Sequence, residues 1–173
     1  MKIMTKRINL KITIENSAER HPVPVLGTDY KVKIVYKNVK YPELNVEDKI
    51  IKISLPNKYK KANNEKILDM AIDKMYEQIA KVEVERAMER TRILLGFAPE
   101  DYEIKKMANL LGKCEENKIT INPEIVKYDR NVIDYVVLHE YCHLKYKTHC
   151  KGFIKMMEQY MPNYQKIETL INK

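Results

Sequence analysis

The chain has 173 residues, 45% of them hydrophobic, which suits one folded domain or one domain with a small appendage. Its longest nearly apolar stretch, around residues 93–99, is far too short to span a bilayer, and no apolar core of a secretory signal follows the basic N-terminus, so neither a membrane protein nor an exported one is expected. The net charge of +8 comes mostly from scattered lysines, which favours a solvated basic surface over a nucleic-acid interface.

The first part of the chain, residues 1–56, has the pattern of β structure. Apolar and polar residues alternate over residues 8–14, 30–39 and 49–55, a period typical of half-buried strands. Pro22 and Pro24 predict a loop or an edge segment between the first two of these strands. We expect these strands to form an antiparallel meander within an antiparallel or mixed sheet.

A polar stretch at residues 56–65 separates this part from a helical part, residues 57–173, and we expect the two to form one compact unit. A long helix is predicted over residues 66–95, because its apolar residues fall mainly on one stripe, and Gly96 and Pro99 end it.

Shorter elements follow the long helix. Residues 102–107 and 118–122 predict strands, with a turn marked by Gly112. A helix begins near residue 131, capped by Asp129 or Asn131, and a last amphipathic stretch runs from residue 152 to 160.

A cluster of histidines carries the chemistry. Residues 139–149 read His-Glu-Tyr-Cys-His-Leu-Lys-Tyr-Lys-Thr-His and contain three of the four histidines in the chain. On a helix, His139 and His143 project from one face, about 40° apart around the axis, so both can bind one metal ion. Glu140 borders the same face, where it can act as general base for a metal-bound water.

A zinc hydrolase needs a third protein ligand and an open fourth position for water. His149 is the candidate, provided that the helix ends before it and the chain turns back. Metzincins share this HExxH-x5-H spacing but use a glycine at the turn, where this chain has Tyr146. The chain is therefore not expected to be a metzincin, and its turn must be made in another way.

The remaining candidate ligands have simpler interpretations. Cys142 or Cys150 could complete a closed site with a structural zinc, but Cys142 is expected to pack as a small hydrophobe. With Cys114 they make an odd number without a CxxC pair, which indicates reduced thiols in a cytoplasmic protein. His21, in a proline-flanked loop, is expected to be a surface residue.

The region from about residue 102 to 172 resembles the YgjP-like metallopeptidases, relatives of the SprT-like and WLM zinc proteases. The resemblance is carried by the sequences Gly-Lys-Cys at 112–114, Asn-Lys-Ile-Thr-Ile-Asn at 117–122, Val-Ile-Asp-Tyr-Val-Val-Leu-His-Glu-Tyr-Cys-His-Leu at 132–144, and by His149, Phe153 and Met-Pro-Asn-Tyr at 161–164. One departure is Leu110-Leu111, where the family usually has Arg-Trp, which bears on substrate preference.

The resemblance implies an α+β, zincin-like fold with an HExxH catalytic helix and a zinc peptidase acting on peptides or proteins. The family's metal ligands match His139, His143 and His149, and its catalytic glutamate matches Glu140. Residues 118–122 would be the edge strand that holds the substrate. The alternatives are a non-catalytic module with a structural zinc that binds nucleic acid, and a SprT-like protease acting on DNA-bound proteins.

Overall fold

The computed structural model describes residues 22–60 and 65–171, which form a mixed α+β fold with two small sheets and four α-helices. The predicted α+β class is confirmed. The strands are β1 (Val23–Val25), β2 (Thr28–Lys37), β3 (Glu43–Glu47), β4 (Ile50–Pro56), β5 (Asp101–Ile104), β6 (Gly112–Glu115) and β7 (Lys118–Ile121). The helices are α1 (Glu65–Leu95), α2 (Arg130–Lys145), α3 (Lys151–Tyr160) and α4 (Tyr164–Ile171), with short 3-10 helices at Asn57–Tyr59 and Pro123–Lys127. Within these residues, no helix is both long enough and apolar enough to cross a membrane.

The first sheet has the strand order β1-β2-β4-β3, and β2 and β4 run parallel. The predicted antiparallel meander is therefore wrong for this pair. The reason is β3, which forms a hairpin with β4 and takes the far edge of the sheet, so the chain crosses over between β2 and β3. Its sequence, Glu-Leu-Asn-Val-Glu, alternates polar and apolar residues over only five mostly exposed positions, and no strand was predicted there. The strand predicted over residues 8–14 and the surface position predicted for His21 lie outside the described residues.

Tight turns fix the register of three hairpins. Each has a two-residue turn in which both residues have positive φ, the geometry that matches the right-handed twist of the flanking strands. The turn residues are Leu26 and Gly27, Asp48 and Lys49, and Glu116 and Asn117.

The second sheet, in the order β5-β7-β6, lies beside α2. The strands predicted over 102–107 and 118–122 correspond to β5 and β7, whereas β6 was missed because Gly112 was interpreted as a turn. Just after β7, the buried Asn122 side chain donates 2.8 Å hydrogen bonds to the carbonyls of Met107 and Leu110. Asn122 therefore shapes the loop that leads into β6.

The helix α1 confirms the prediction over 66–95, and it packs along α2. The side chain of Glu83 on α1 is only 7% exposed, and its carboxylate accepts hydrogen bonds of 2.7 and 2.9 Å from the guanidinium of Arg130, at the start of α2. Farther along, the Tyr141 hydroxyl donates to the Met88 carbonyl at 3.1 Å. Asp129 caps α2 by accepting a hydrogen bond from the Val132 N–H. Of the two predicted caps, Asp129 and Asn131, the first is therefore confirmed. Contacts at both ends thus set the position of α2 along α1.

Replacing Arg130 by Gln should lower the free energy of unfolding by about 1–3 kcal/mol, because it leaves the buried Glu83 carboxylate short of a partner. The matched control is Arg92→Gln, which breaks a pair with Glu89 that also has two hydrogen bonds but whose members are both exposed, and it should cost less than Arg130→Gln. Urea unfolding measures both changes. Equal losses in the two variants would contradict a special role for the buried pair.

The same pair predicts a pH dependence. Arg130 lowers the pKa of Glu83 below 4.5, so the pair stabilises the folded protein above the ordinary carboxyl pKa and the stabilisation is lost as the pH falls through the lowered one. The difference between Arg130→Gln and the parent should therefore shrink below about pH 4.

Candidate metal centre

The structure brings the three predicted histidines together. His139 and His143 lie one turn apart on α2, and their Nε2 atoms are 3.2 Å apart. The Nε2 atom of His149, from the loop before α3, lies 3.1 Å from that of His139. Each residue offers one ligand atom, and the three lie within 4.8 Å of one another. They form the potential metal-binding group that the sequence predicted.

The spacing of these nitrogens suits a small tetrahedral cation. Imidazole nitrogens bind zinc at about 2.0–2.1 Å, so two tetrahedral ligands lie about 3.3–3.4 Å apart. The separations of 3.1 and 3.2 Å are close to this value. One ion could therefore be held without large movements of the rings.

The turn between His143 and His149 is made without a glycine. Tyr146 ends α2 in an extended conformation, with φ −124° and ψ 104°, which any residue adopts. Its carbonyl accepts a 2.9 Å hydrogen bond from His143 Nδ1, because a carbonyl can only accept. This bond places the proton on Nδ1 and leaves the lone pair of Nε2 free for a metal.

The Tyr146 ring lies over Gly152 in the first turn of α3. A Cβ added at Gly152 would lie 2.6 Å from Tyr146 Cε1. The glycine therefore allows α3 to begin immediately after the loop that carries His149.

His139 is held in its neutral form. Burial, followed by the neighbouring His143 and His149, lowers its pKa from 6.5 to about 4. At neutral pH the ring carries no extra proton, so a metal ion need not displace one from it.

Glu140 lies on the buried side of the site and is 6% exposed. It has no ion-pair partner among residues 22–60 and 65–171, and burial raises its pKa to about 7. Gly112 of β6 lies directly against it, since a Cβ there would be 2.7 Å from Glu140 Oε1 and 2.8 Å from Val136 Cγ1. A carboxyl group with a pKa near neutrality can both accept and donate a proton.

The strand next to Glu140 has one side unpaired within the described residues. The Asn122 N–H donates to the Leu111 carbonyl at 2.9 Å, and Gly112 faces Ile121 in the ladder. Bonded and non-bonded pairs alternate in an antiparallel ladder, so Gly112 and Cys114 direct their N–H and C=O groups away from β7. The expectation that residues 118–122 form the edge strand is wrong, because β7 is the central strand.

The cysteines are not brought into the histidine group. Cys142 is fully buried, with its Sγ 3.5 Å from Met157 Sδ, which confirms its predicted packing role. Cys150 is exposed at the start of α3. Cys114 is half-buried on β6, and its pKa is raised by burial and by nearby Glu140. All three are free thiols.

Sequence reasoning gave no role to two aromatic neighbours of the histidines. Tyr135 lies one turn before His139, with ring centroids 5.7 Å apart, and its i−4 spacing was the available signal. Phe153 lies against all three imidazoles. Its packing depends on the fold of the loop and could not be derived from spacing.

A comparison with protein-family models shows the family of this chain. The family model described as YgjP-like, metallopeptidase domain, matches residues 2–173. Among solved structures, the chain is similar to the metallopeptidase zymogen abylysin of Pyrococcus abyssi, with 24% identity and a TM-score of 0.47, over 51% of this chain and 90% of that one. It is also similar to the metallopeptidase zymogen jannalysin of Methanocaldococcus jannaschii, with 23% identity and a TM-score of 0.46. That match covers 51% of this chain and 92% of the other one. Curated proteins gave no match.

Replacing Glu140 by Gln should stabilise the metal-free protein at pH 8 but not at pH 4.5. Between pH 4.5 and 7 the folded state keeps the Glu140 proton that the unfolded state loses, so stability falls as the pH rises. Above pH 7 the parent bears the full cost of an ionised buried carboxylate, about 3 kcal/mol for a shift of this size. Urea unfolding with chelator present measures the difference in unfolding free energy between parent and variant at each pH. A difference that is independent of pH would contradict the raised pKa of Glu140.

Replacing Gly112 by Ala should displace Glu140, because the new methyl group overlaps both its carboxylate and Val136. We expect a loss of about 1–3 kcal/mol in unfolding free energy, typical of overpacking. The double variant Gly112→Ala with Val136→Ala should recover part of that loss in urea unfolding. If the losses of the two single variants simply add, the new methyl group does not overlap Val136.

Proposed function

The chain belongs to the family of YgjP-like metallopeptidase domains, and from this premise we propose that it is a zinc-dependent peptidase that hydrolyses peptide bonds. The resemblance predicted from residues 102–172 is confirmed and extends over residues 2–173. We assign the metal to His139, His143 and His149, and the general base to Glu140. The observation that carries the proposal is the convergence of three imidazole nitrogens beside a buried carboxylate.

Zinc is the metal that this donor set favours. All three candidate ligands are imidazoles, which suit zinc better than the oxygen-seeking cations magnesium and calcium. When bound, zinc would supply a Lewis acid for the peptide carbonyl and a water acidified to near neutrality. The described residues provide no fourth protein ligand in the group, which supports an open position and speaks against a closed structural site.

Glu140 is proposed to move the proton. Its carboxylate takes a proton from the nucleophilic water and returns it to the leaving amine, the two roles of one general acid–base group. A pKa of about 7 in the absence of metal suits both transfers, and a dication nearby would favour the ionised form at the start.

The outer side of β6 is proposed to align the substrate. Among the described residues, the outward N–H and C=O groups of Gly112 and Cys114, next to Glu140, have no strand partner, so an extended peptide can add there as a further strand. Backbone pairing of this kind recognises a peptide irrespective of its side chains. This assignment replaces the earlier expectation that residues 118–122 hold the substrate.

A non-catalytic zinc module that binds nucleic acid and a SprT-like protease on DNA remain alternatives without an observation that favours them. We also propose a cytoplasmic location, since all three cysteines are unpaired thiols.

Native mass spectrometry on protein purified without chelators or an added histidine tag tests the metal site. The parent should carry one zinc, and His149→Ala should lose it. Cys150→Ser is the matched control, because it changes the adjacent residue outside the histidine group and should keep the metal. Retention of zinc by His149→Ala would remove His149 from the ligand set, and loss from Cys150→Ser would indicate the closed structural site.

The general base is tested with Glu140→Gln and a library of peptide substrates. The variant should keep the zinc and lower kcat/KM by about 10²–10⁴-fold, the usual contribution of a general base. Undiminished turnover would rule out the role given to Glu140.

A further inference from the structure

Four aromatic rings form a nearly regular tetrahedron at the metal centre. The centroids of the three imidazoles are 4.9–5.0 Å from one another. The centroid of Phe153 is 4.9 Å from that of His139, 4.8 Å from that of His143 and 4.6 Å from that of His149. Phe153 therefore lies on the axis of the triad, equally close to each ring.

Few other contacts orient these imidazoles. His143 donates a hydrogen bond from its second ring nitrogen to the carbonyl of Tyr146. For His139 and His149, the described part of the chain supplies no protein partner to Nδ1. Their orientation depends on ring contacts, and Phe153 contacts all three rings.

The position of Phe153 is fixed by the packing of its helix. It lies in the first turn of α3 and is 2% exposed. The same helix is anchored to α2 through Met157, whose sulfur lies against Cys142. Protein contacts therefore hold the ring against the triad, and its side chain is almost completely shielded from water.

We propose that Phe153 is a positioning residue. Its apolar ring orients the three imidazoles for metal binding and closes one side of the bound metal to water. The inference rests on the proposed function of the histidines as ligands. Because the ring fills the axis on one side, water or a peptide carbonyl can reach the ion only from the opposite side. An ion that enters such a site need not reorient His139 and His149, so affinity is gained through preorganisation.

The test is Phe153→Leu, with cobalt(II) as a spectroscopic probe for the metal. We expect the variant to bind cobalt and zinc about 10–100-fold more weakly, the usual effect of losing a supporting contact behind metal ligands. Zinc should also leave faster in a chelator chase. The visible cobalt absorption should weaken, because water entering from the opened side raises the coordination number.

Met156→Ala is the matched control on the same helix. It removes a buried side chain that lies outside the cluster of four rings, so it should lower the unfolding free energy of the metal-free protein yet leave cobalt affinity and absorption unchanged. If Phe153→Leu fails to fold, Phe153→Met keeps an apolar side chain of similar volume and serves instead.

The outcomes separate this inference from the proposed function. If the parent binds cobalt and Phe153→Leu binds it with the same affinity and spectrum, Phe153 merely packs and the inference is wrong. If the parent itself binds no cobalt or zinc, the proposed metal site fails, whatever the variants show.

Discussion

Three imidazoles meet at one point, and the local structure around them is what brings the third one back to α2. Two of them come from α2, so this helix has to end soon enough for the chain to return a third. It ends at Tyr146, whose extended backbone makes the turn and whose carbonyl orients His143. The first turn of α3 then begins at once, which Gly152 permits because it leaves room for the Tyr146 ring. Each of these features serves the position of His149.

Two buried carboxylates show how differently one fold can treat the same chemical group. Glu83 is paired with Arg130, which lowers its pKa, and its effect is to hold α1 and α2 together. Glu140 is buried with no ion-pair partner among residues 22–60 and 65–171, and burial raises its pKa to about 7. A carboxylate that is left unneutralised inside a protein weakens the fold unless something else binds there. The two environments therefore shift the pKa values of the same chemical group in opposite directions.

The sequence predicted the elements whose periodicity is strong and missed those that tertiary contacts decide. The i, i+4 spacing was enough to place His139 and His143 on one face, and the apolar stripe predicted α1. The parallel pairing of β2 with β4 was unpredictable because it depends on where β3 finds an edge. Gly112 was misinterpreted because close approach to another side chain and a turn both require glycine. The division of the chain at residues 56 and 57 stays a prediction.

The turn at Glu116 and Asn117 influences the environment of Glu140, although neither turn residue contacts the histidines. Its two residues with positive φ fix the β6–β7 register, and that register presents Gly112 to Glu140. A slip of one residue along a strand exchanges its two faces. In β6 it would bring the side chain of Lys113 to the side of Glu140, and an ammonium group there would lower the pKa of the carboxyl instead of leaving it raised. The protonation of Glu140 therefore depends on an exposed hairpin, and an insertion or deletion in that turn would change it without altering Glu140 or its immediate neighbours.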